Sequence, residues 1–364
     1  GYPGGLSAGH AGDSRAMRGY RGDSAGRDET VTGSVGLVAR NLFTVWAPLI
    51  LLFSVVDPVS AQIEPVPSSL KVDVSLGAWI STGDTRWSHN ASSVSPLGNP
   101  TSKLTYTDHT ANITEVTVKV SSRSRWFGRL NFGYADIGGG RLTDDDFLAQ
   151  DGGNPSLRTH SDIKNSSMFY VNVEGGGRIL AYPNGRGALD AVVGFQYWHE
   201  EHKAYGVRQV SCSAAGSTVD LGGGAFLCPV GSVGASTLAI TNVTSWYSLR
   251  TGVETEYRLT RWLGIHGAAI LKPLSIFENQ DTHHLRLNVF QSPSFTMYGI
   301  GMGADADAGL KFYVLKNLTV DLGYRVWWNR MVDGTWKNHP VGGGSQTYPL
   351  TQFQSLRHGA TFGL

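Results

Sequence analysis

Apolar and polar residues alternate strictly along several long segments of this chain, and this period of two constrains the fold more than any other feature. In "MYGIGMGADADAGLKFYV", residues 297–314, every second position from Tyr298 to Val314 is apolar, whereas the positions between them are mainly glycine, aspartate and lysine. Because successive side chains of an extended strand point to opposite faces, the pattern predicts a β-strand with one apolar and one polar face.

Similar alternation recurs along the chain and gives ten candidate strands. A composition with 47 glycines and only 16% charged residues also suits strands better than packed helices. The predicted strands lie at 70–80, 103–121, 124–138, 165–181, 186–201, 243–258, 261–277, 297–314, 320–328 and 350–364.

The connections between these strands alternate in length. Short turns such as "YPNGRG" and "RLTR" join predicted strands 2–3, 4–5, 6–7 and 8–9, and the other links are long. This layout predicts an all-β fold: a ten-stranded antiparallel transmembrane barrel of the bacterial outer membrane, with short periplasmic turns and long extracellular loops. A soluble sandwich or lipocalin-like barrel is the alternative. The polar faces carry charges of both signs, expected to pair inside a narrow barrel: Arg129, Asp190, Arg250, Glu254, Asp305, Asp307, Lys311 and Arg325.

The first 61 residues have the composition of an export segment and not of a folded domain. Arg40 precedes the apolar run "NLFTVWAPLILLFSVV", and the small-x-small pattern in "VSAQ" follows it. We therefore expect residues 1–61 to be an N-terminal extension and signal peptide, cleaved after Ala61, and residues 62–364 to form the barrel. An uncleaved anchor is the alternative.

Two cysteines, Cys212 and Cys228, lie in one Gly/Ser-rich segment. In an exported protein the first expectation is a disulfide between them, because neither cysteine has the neighbours that would complete a zinc site. The near balance of 30 Lys and Arg against 29 Asp and Glu, a net charge of +1, gives no reason to expect a nucleic-acid partner.

Three consecutive aspartates occur in "GGGRLTDDDF", residues 138–147, where predicted strand 3 enters its long link. Carboxylates this close repel one another unless a partner, a metal or a shared proton relieves them. In an extended chain Asp144 and Asp146 share one face and Asp145 points to the other. A solvated loop or a loose calcium contact is the alternative interpretation of the motif taken alone.

A second motif, "FENQDTHHLR" at 277–286, lies where predicted strand 7 enters its own long link. Asp281 and His283 are two residues apart and share a face, so the carboxylate can orient the imidazole as a general base. If strands 3 and 7 face each other, a water between the two pairs can be activated for hydrolysis. A metal site formed by Asp144, Asp146, His283 and His284 is the alternative, although the spacing fits no recognised zinc motif.

With these two motifs in ten strands, the chain resembles the omptins, outer-membrane aspartyl-type endoproteases of Gram-negative bacteria. The Gly-rich segment leading into an Asp-x-Asp-aromatic motif, the Asp-x-His motif, "DVSLG" and "SKLTY" carry the resemblance. It implies catalysis by Asp144, Asp146, Asp281 and His283 through direct attack of water, without a covalent intermediate. It also implies lipopolysaccharide of the outer membrane as a partner on which activity can depend.

Members of that family that cleave after basic residues carry acidic side chains deep in the cleft, and the matching positions here are Thr85 and Asn279. Asp84 and Glu278 are adjacent, but a shift of one residue turns a strand side chain to the other face. These four residues are the candidate substrate pocket, and a preference for basic substrates is not expected.

The sequence thus predicts an outer-membrane endopeptidase acting on peptides or proteins, with its active site facing outside and no metal or other cofactor. The alternative is a non-catalytic barrel that acts in adhesion or envelope structure, for which the Cys212–Cys228 segment is suited. A small pore is a weaker third possibility.

Overall fold

The computed structural model describes residues 70–122, 125–220, 227–228 and 231–364. The predicted extension and signal peptide, residues 1–61, lie outside these ranges, so cleavage after Ala61 stays a prediction.

The described residues form eleven β-strands and one short helix. The strands are β1 Lys71–His89, β2 Leu97–Ser121, β3 Trp126–Leu148, β4 Leu157–Ile163, β5 Ser166–Ala181, β6 Gly187–Cys212, β7 Ser232–Arg258, β8 Leu263–His283, β9 Phe290–Leu315, β10 Leu318–Pro340 and β11 Thr347–Gly363; the helix is α1 Ala214–Thr218. Three 3-10 turns span Ala149–Asp151, Pro183–Gly185 and His284–Arg286. None of the helices in the described ranges is long and apolar enough to cross a membrane.

All the strands belong to one antiparallel sheet that closes into a ring. Each strand from β5 to β11 pairs with the next, β11 pairs with β1, and the ring continues through β2 to β3. Both β4 and β5 lie between β3 and β6, one above the other. They fill a single position, interrupted at Lys164 and Asn165, where Asn165 has a φ of 50°. The ten-position barrel expected from the alternation is therefore confirmed.

Most of the segments predicted as long loops are continuations of the strands. β7 has 27 residues and β9 has 26, whereas about 9–11 residues suffice for a tilted strand to cross a bilayer. The "GGGRLTDDDF" segment likewise lies inside β3, and its glycines coincide with shifts in the β2–β3 register instead of ending the strand. We call the end of the barrel that these continuations build the extended rim; it carries the links β1–β2, β3–β4, β6–β7, β8–β9 and β10–β11.

The outward faces nearer the other end carry an apolar belt. On β1 the residues Val72, Val74 and Leu76 are all exposed to the outside of the barrel, and on β3 the outward apolar run ends at Tyr134. An outward apolar band of this kind is what a lipid-facing barrel surface presents, and it fits an outer-membrane β-barrel. Beyond the belt the outward residues become polar, as Asp84 on β1 and Asp136 on β3 illustrate.

Inside the belt the lumen is filled by paired charges. Arg250 forms ion pairs with Glu174 at 2.9 Å and with Asp305 at 2.7 Å, and Lys272 binds the other oxygen of Asp305 at 2.6 Å. Arg129 joins the network through Glu174. Because Arg250 and Lys272 are buried, each of these cations requires its carboxylate partner, and the network holds the facing strands together.

We predict that Asp305→Asn lowers the stability of the barrel by about 3–5 kcal/mol, because it leaves two buried cations without their shared counter-charge. Unfolding in urea from detergent micelles measures the change. The matched control is Asp73→Asn, which breaks the exposed ion pair with Lys71 and should change stability by less than about 1 kcal/mol. Equal losses in the two variants would contradict this account of the lumen.

Candidate active site

The acid pair lies on β3 near the extended rim, and both side chains face the interior of the barrel. Asp144 is directly opposite Leu104 of β2, and Asp146 is opposite Ser102. Residues directly opposite share a face, and Leu104 is fully buried in the core. The Ser102 hydroxyl lies 3.5 Å from Oδ1 of Asp144, at the limit of a hydrogen bond.

The third aspartate of the motif points the other way and has its own partner. Arg158, directly opposite on β4, donates from Nε to one oxygen of Asp145 at 2.6 Å and from Nη2 to the other at 2.9 Å. This two-point contact with a guanidinium neutralises Asp145 outside the cleft. Only two of the three carboxylates therefore remain to repel each other.

The second pair lies at the end of β8. Nε2 of His283 is 3.0 Å from Oδ2 of Asp281, and Asp281 is fully buried. Since an ionised carboxylate only accepts, Nε2 carries the proton, and Nδ1 takes part in none of the hydrogen bonds found among the described residues. The backbone N–H of His283 donates to the hydroxyl of Ser294 at 3.0 Å, which fixes the chain where β8 ends.

The two pairs interact electrostatically across the cleft. Burial raises the pKa of Asp144 well above its usual value, and the charges of Asp146 and Asp281 raise it further, while Arg286 opposes the shift. Burial also raises the pKa of Asp146, against the opposing charges of Arg286 and His283. The charge of Asp281 thus acts on Asp144, and the charge of His283 acts on Asp146. Among the described residues no hydrogen bond joins the two pairs directly.

Two of the four predicted pocket residues face the interior and the other two face outward, as the alternation of side chains along a strand requires. Thr85 faces the interior and donates to the hydroxyl of Ser355 at 3.2 Å. Asn279 is also interior and donates to Oδ1 of Asn242 at 2.9 Å. The adjacent carboxylates point away from the cleft: Asp84 accepts from the backbone N–H of Asp108 at 3.2 Å, and Glu278 accepts from the hydroxyl of Tyr247 at 2.8 Å.

Sequence reasoning missed a buried polar cluster below the cleft, formed by His109, Glu200, His202 and Arg357. His202 is fully buried, and its ring lies 4.4 Å from that of His109. Burial lowers the pKa of His202 to about 4. The four residues come from β2, β6 and β11, so no local motif could have revealed the cluster.

In the described residues this cluster contains the one set of three side chains whose ligand atoms lie within 4.8 Å of one another, His109, Glu200 and His202. Its hydrogen bonds argue against a metal. Arg357 donates to Nδ1 of His109 at 2.7 Å, so the proton of a neutral His109 is on Nε2 and neither nitrogen has a free lone pair. Arg357 also supplies the counter-charge of Glu200 at 2.9 Å. We interpret the cluster as an internally neutral floor of the cleft.

Cys212 and Cys228 are bonded to each other, with their Cα atoms 6.3 Å apart. The bond ties the end of β6 to the link that leads to β7.

We predict that Asp144→Asn stabilises the protein at pH 7. Its pKa is raised in the folded state, so folding favours the protonated form, and stability is lost as the pH rises above the unfolded pKa of about 4. The asparagine removes this loss, and we expect the thermal midpoint to rise by about 2–4 °C at pH 7 and by almost nothing at pH 3.

The matched control for this measurement is Asp145→Asn. Because Asp145 is paired with Arg158, its replacement should leave the midpoint at pH 7 unchanged or lower. A fall in midpoint for Asp144→Asn at pH 7 would contradict the assignment of charge repulsion to the acid pair.

No protein-family model and no curated protein sequence matches the chain. Among solved structures it is similar to the outer membrane protease OmpT of Escherichia coli, with a TM-score of 0.63 and 13% identity, over 83% of this chain and 98% of that one. The expected barrel fold is thereby confirmed. A FadL homologue of Pseudomonas aeruginosa aligns over 82% of this chain and 90% of that one at 6% identity, but its TM-score of 0.22 is too low to show a common fold.

Proposed function

We propose that this chain is an outer-membrane endopeptidase, distantly related to the omptins, that hydrolyses peptide bonds with a water held between the acid pair and the dyad. The observation that supports the proposal is that Asp144 and Asp146 on β3 and the hydrogen-bonded Asp281–His283 dyad on β8 all face the interior near the extended rim. The OmpT-like fold supports it, because that neighbour is an outer membrane protease.

In this mechanism His283 is the general base. Nδ1 accepts a proton from the water as the water oxygen attacks the carbonyl carbon, and Asp281 stabilises the imidazolium through the hydrogen bond at Nε2. When the C–N bond breaks, the leaving amine takes the proton from the imidazolium. His283 then returns to its neutral form, and no covalent intermediate with the protein is needed.

The acid pair stabilises the charge that develops on the carbonyl oxygen. Since burial and its neighbours raise the pKa of Asp144, the pair retains a proton more readily than an isolated aspartate would. The protonated carboxyl donates a hydrogen bond to the carbonyl oxygen, and its ionised partner holds the attacking water. Such a donor is most effective in a site sheltered from bulk water.

The substrate class that we propose is a peptide or protein without a requirement for basic residues at the cleavage site. Thr85 and Asn279 place neutral groups at the two interior pocket positions. In the floor of the cleft, Arg357 already pairs with the buried Glu200. No carboxylate of the described floor is thus left to select a lysine or arginine side chain. We also propose that the extended rim faces outside the cell and that lipopolysaccharide supports activity; no metal or other cofactor takes part.

A non-catalytic role in adhesion is the second candidate. It is favoured by the apolar residues Leu285, Leu287, Val289 and Val341, which are exposed near the extended rim beyond the dyad. Exposed apolar groups at one place mark contact surfaces for other macromolecules. This candidate requires no hydrolysis.

We predict that the refolded protein with lipopolysaccharide cleaves members of a diverse peptide library, and that Asp146→Ala and His283→Ala each lower kcat by about 10²–10⁴-fold. Mass spectrometry of the products measures cleavage, in parallel with and without lipopolysaccharide. His284→Gln is the matched control, since His284 contacts Thr241 at 2.8 Å and has no part in the mechanism. Equal background cleavage by wild type and both alanine variants would rule out the protease and favour the adhesion role.

A further inference from the structure

The aromatic ring of Phe295 forms the apolar wall of the dyad. Phe295 lies on β9 directly opposite Asp281, so the two side chains share a face. Its ring centre is 4.9 Å from that of His283, with the two planes at 78°. Phe295 is 7% exposed, so almost the whole side chain packs against other residues of the protein.

Phe295 belongs to a cluster of packed aromatic rings. Phe290 packs on it at 5.0 Å, and Trp336 packs on it at 4.7 Å. Trp336 in turn stacks on His89 with the ring centres 4.0 Å apart. Edge-to-face and offset packing of this kind restricts ring motion in addition to burying area.

Ser294, the residue before Phe295, restrains the backbone of His283. Ser294 accepts a hydrogen bond from the N–H of His283 and donates its own to the carbonyl of Gln291 at 3.1 Å. Consecutive residues of β9 therefore hold His283 in two ways. Ser294 fixes its main chain, and Phe295 limits the positions open to its ring.

We propose that Phe295 is a positioning residue, which keeps the His283 imidazole in the orientation that directs Nε2 to Asp281 and which excludes water from that hydrogen bond. This inference rests on the proposed function. A hydrogen bond between an ion and its partner is stronger in a dry environment than in water. Removal of the ring lets water compete for Asp281 and lets the imidazole turn away from the attacking water.

We expect removal of the Phe295 ring to lower the turnover rate and to leave substrate binding nearly unchanged. Phe295 acts through His283, and its ring is buried against the dyad, so the ground-state complex should change little. A base displaced by about 1 Å can lose on the order of 10²-fold in rate. Such a change lowers kcat and leaves KM nearly constant.

The test compares Phe295→Leu with Phe290→Leu. Both variants remove one phenylalanine ring from the same cluster, but only Phe295 contacts His283. We expect Phe295→Leu to lower kcat by about 10- to 100-fold with KM within about threefold of wild type, and Phe290→Leu to keep kcat within about threefold. Thermal midpoints verify that both barrels fold. Phe295→Met, which fills the space without a ring, replaces the leucine variant if that variant does not fold.

A second readout does not depend on activity. In the wild type and in Phe290→Leu the proton on Nε2 of His283 should exchange slowly with water and give a low-field signal in proton NMR, absent from His283→Ala. Phe295→Leu should lose this signal through fast exchange.

Two sets of results overturn the inference. If the wild type cleaves peptides and His283→Ala does not, but Phe295→Leu keeps the kcat and the low-field signal of the wild type, the positioning role fails and the proposed function stands. A rise in KM at constant kcat has the same meaning. If wild type and His283→Ala are equally inactive, the proposed function fails, and this inference fails with it.

Discussion

The closed ladder of backbone hydrogen bonds is the constraint on which the rest of this structure depends. In the ring from β1 to β11 each strand has a neighbour on both sides, so the strands that the structure describes leave no long edge open. A barrel in an apolar environment has to satisfy its backbone in this way, because lipid offers no partners. Closure also sends every second side chain inward. The charges of Arg250, Lys272 and Asp305 are then confined to a narrow lumen, where they have to pair.

This paired lumen provides the base on which the cleft is built. Above it lie the Arg357–Glu200 pair and the two buried histidines, and above those lie the ends of β3 and β8 that carry the candidate catalytic groups. The groups are on strands and not on loops, so the ladder fixes their separation. A site built on rigid elements keeps its geometry better than one built on flexible links.

The neighbouring carboxylates in and beside the cleft differ in how their negative charges are compensated. Asp145 is neutralised by Arg158 outside the cleft, and Asp281 is hydrogen-bonded to His283. Among the described residues no cation forms an ion pair with Asp144 or Asp146, and the pKa of each is raised. A carboxylate pair with raised pKa values lowers the stability of the fold at neutral pH, but it can supply a proton for hydrolysis. Groups with perturbed pKa values are common at functional sites.

The sequence by itself determined the parity of the strands and therefore which side chains point inward. Asp144 and Asp146 lie on the interior face and Asp145 on the other, as the period of two predicts, because this period is a local property of an extended chain. The extent of the strands was not visible, since the predicted loops carry less regular alternation and only pairing with a neighbour makes them strands. The register between strands was hidden for the same reason. Only the tertiary structure could bring Phe295 against His283 and Arg357 against His109, because these contacts join residues far apart in the chain.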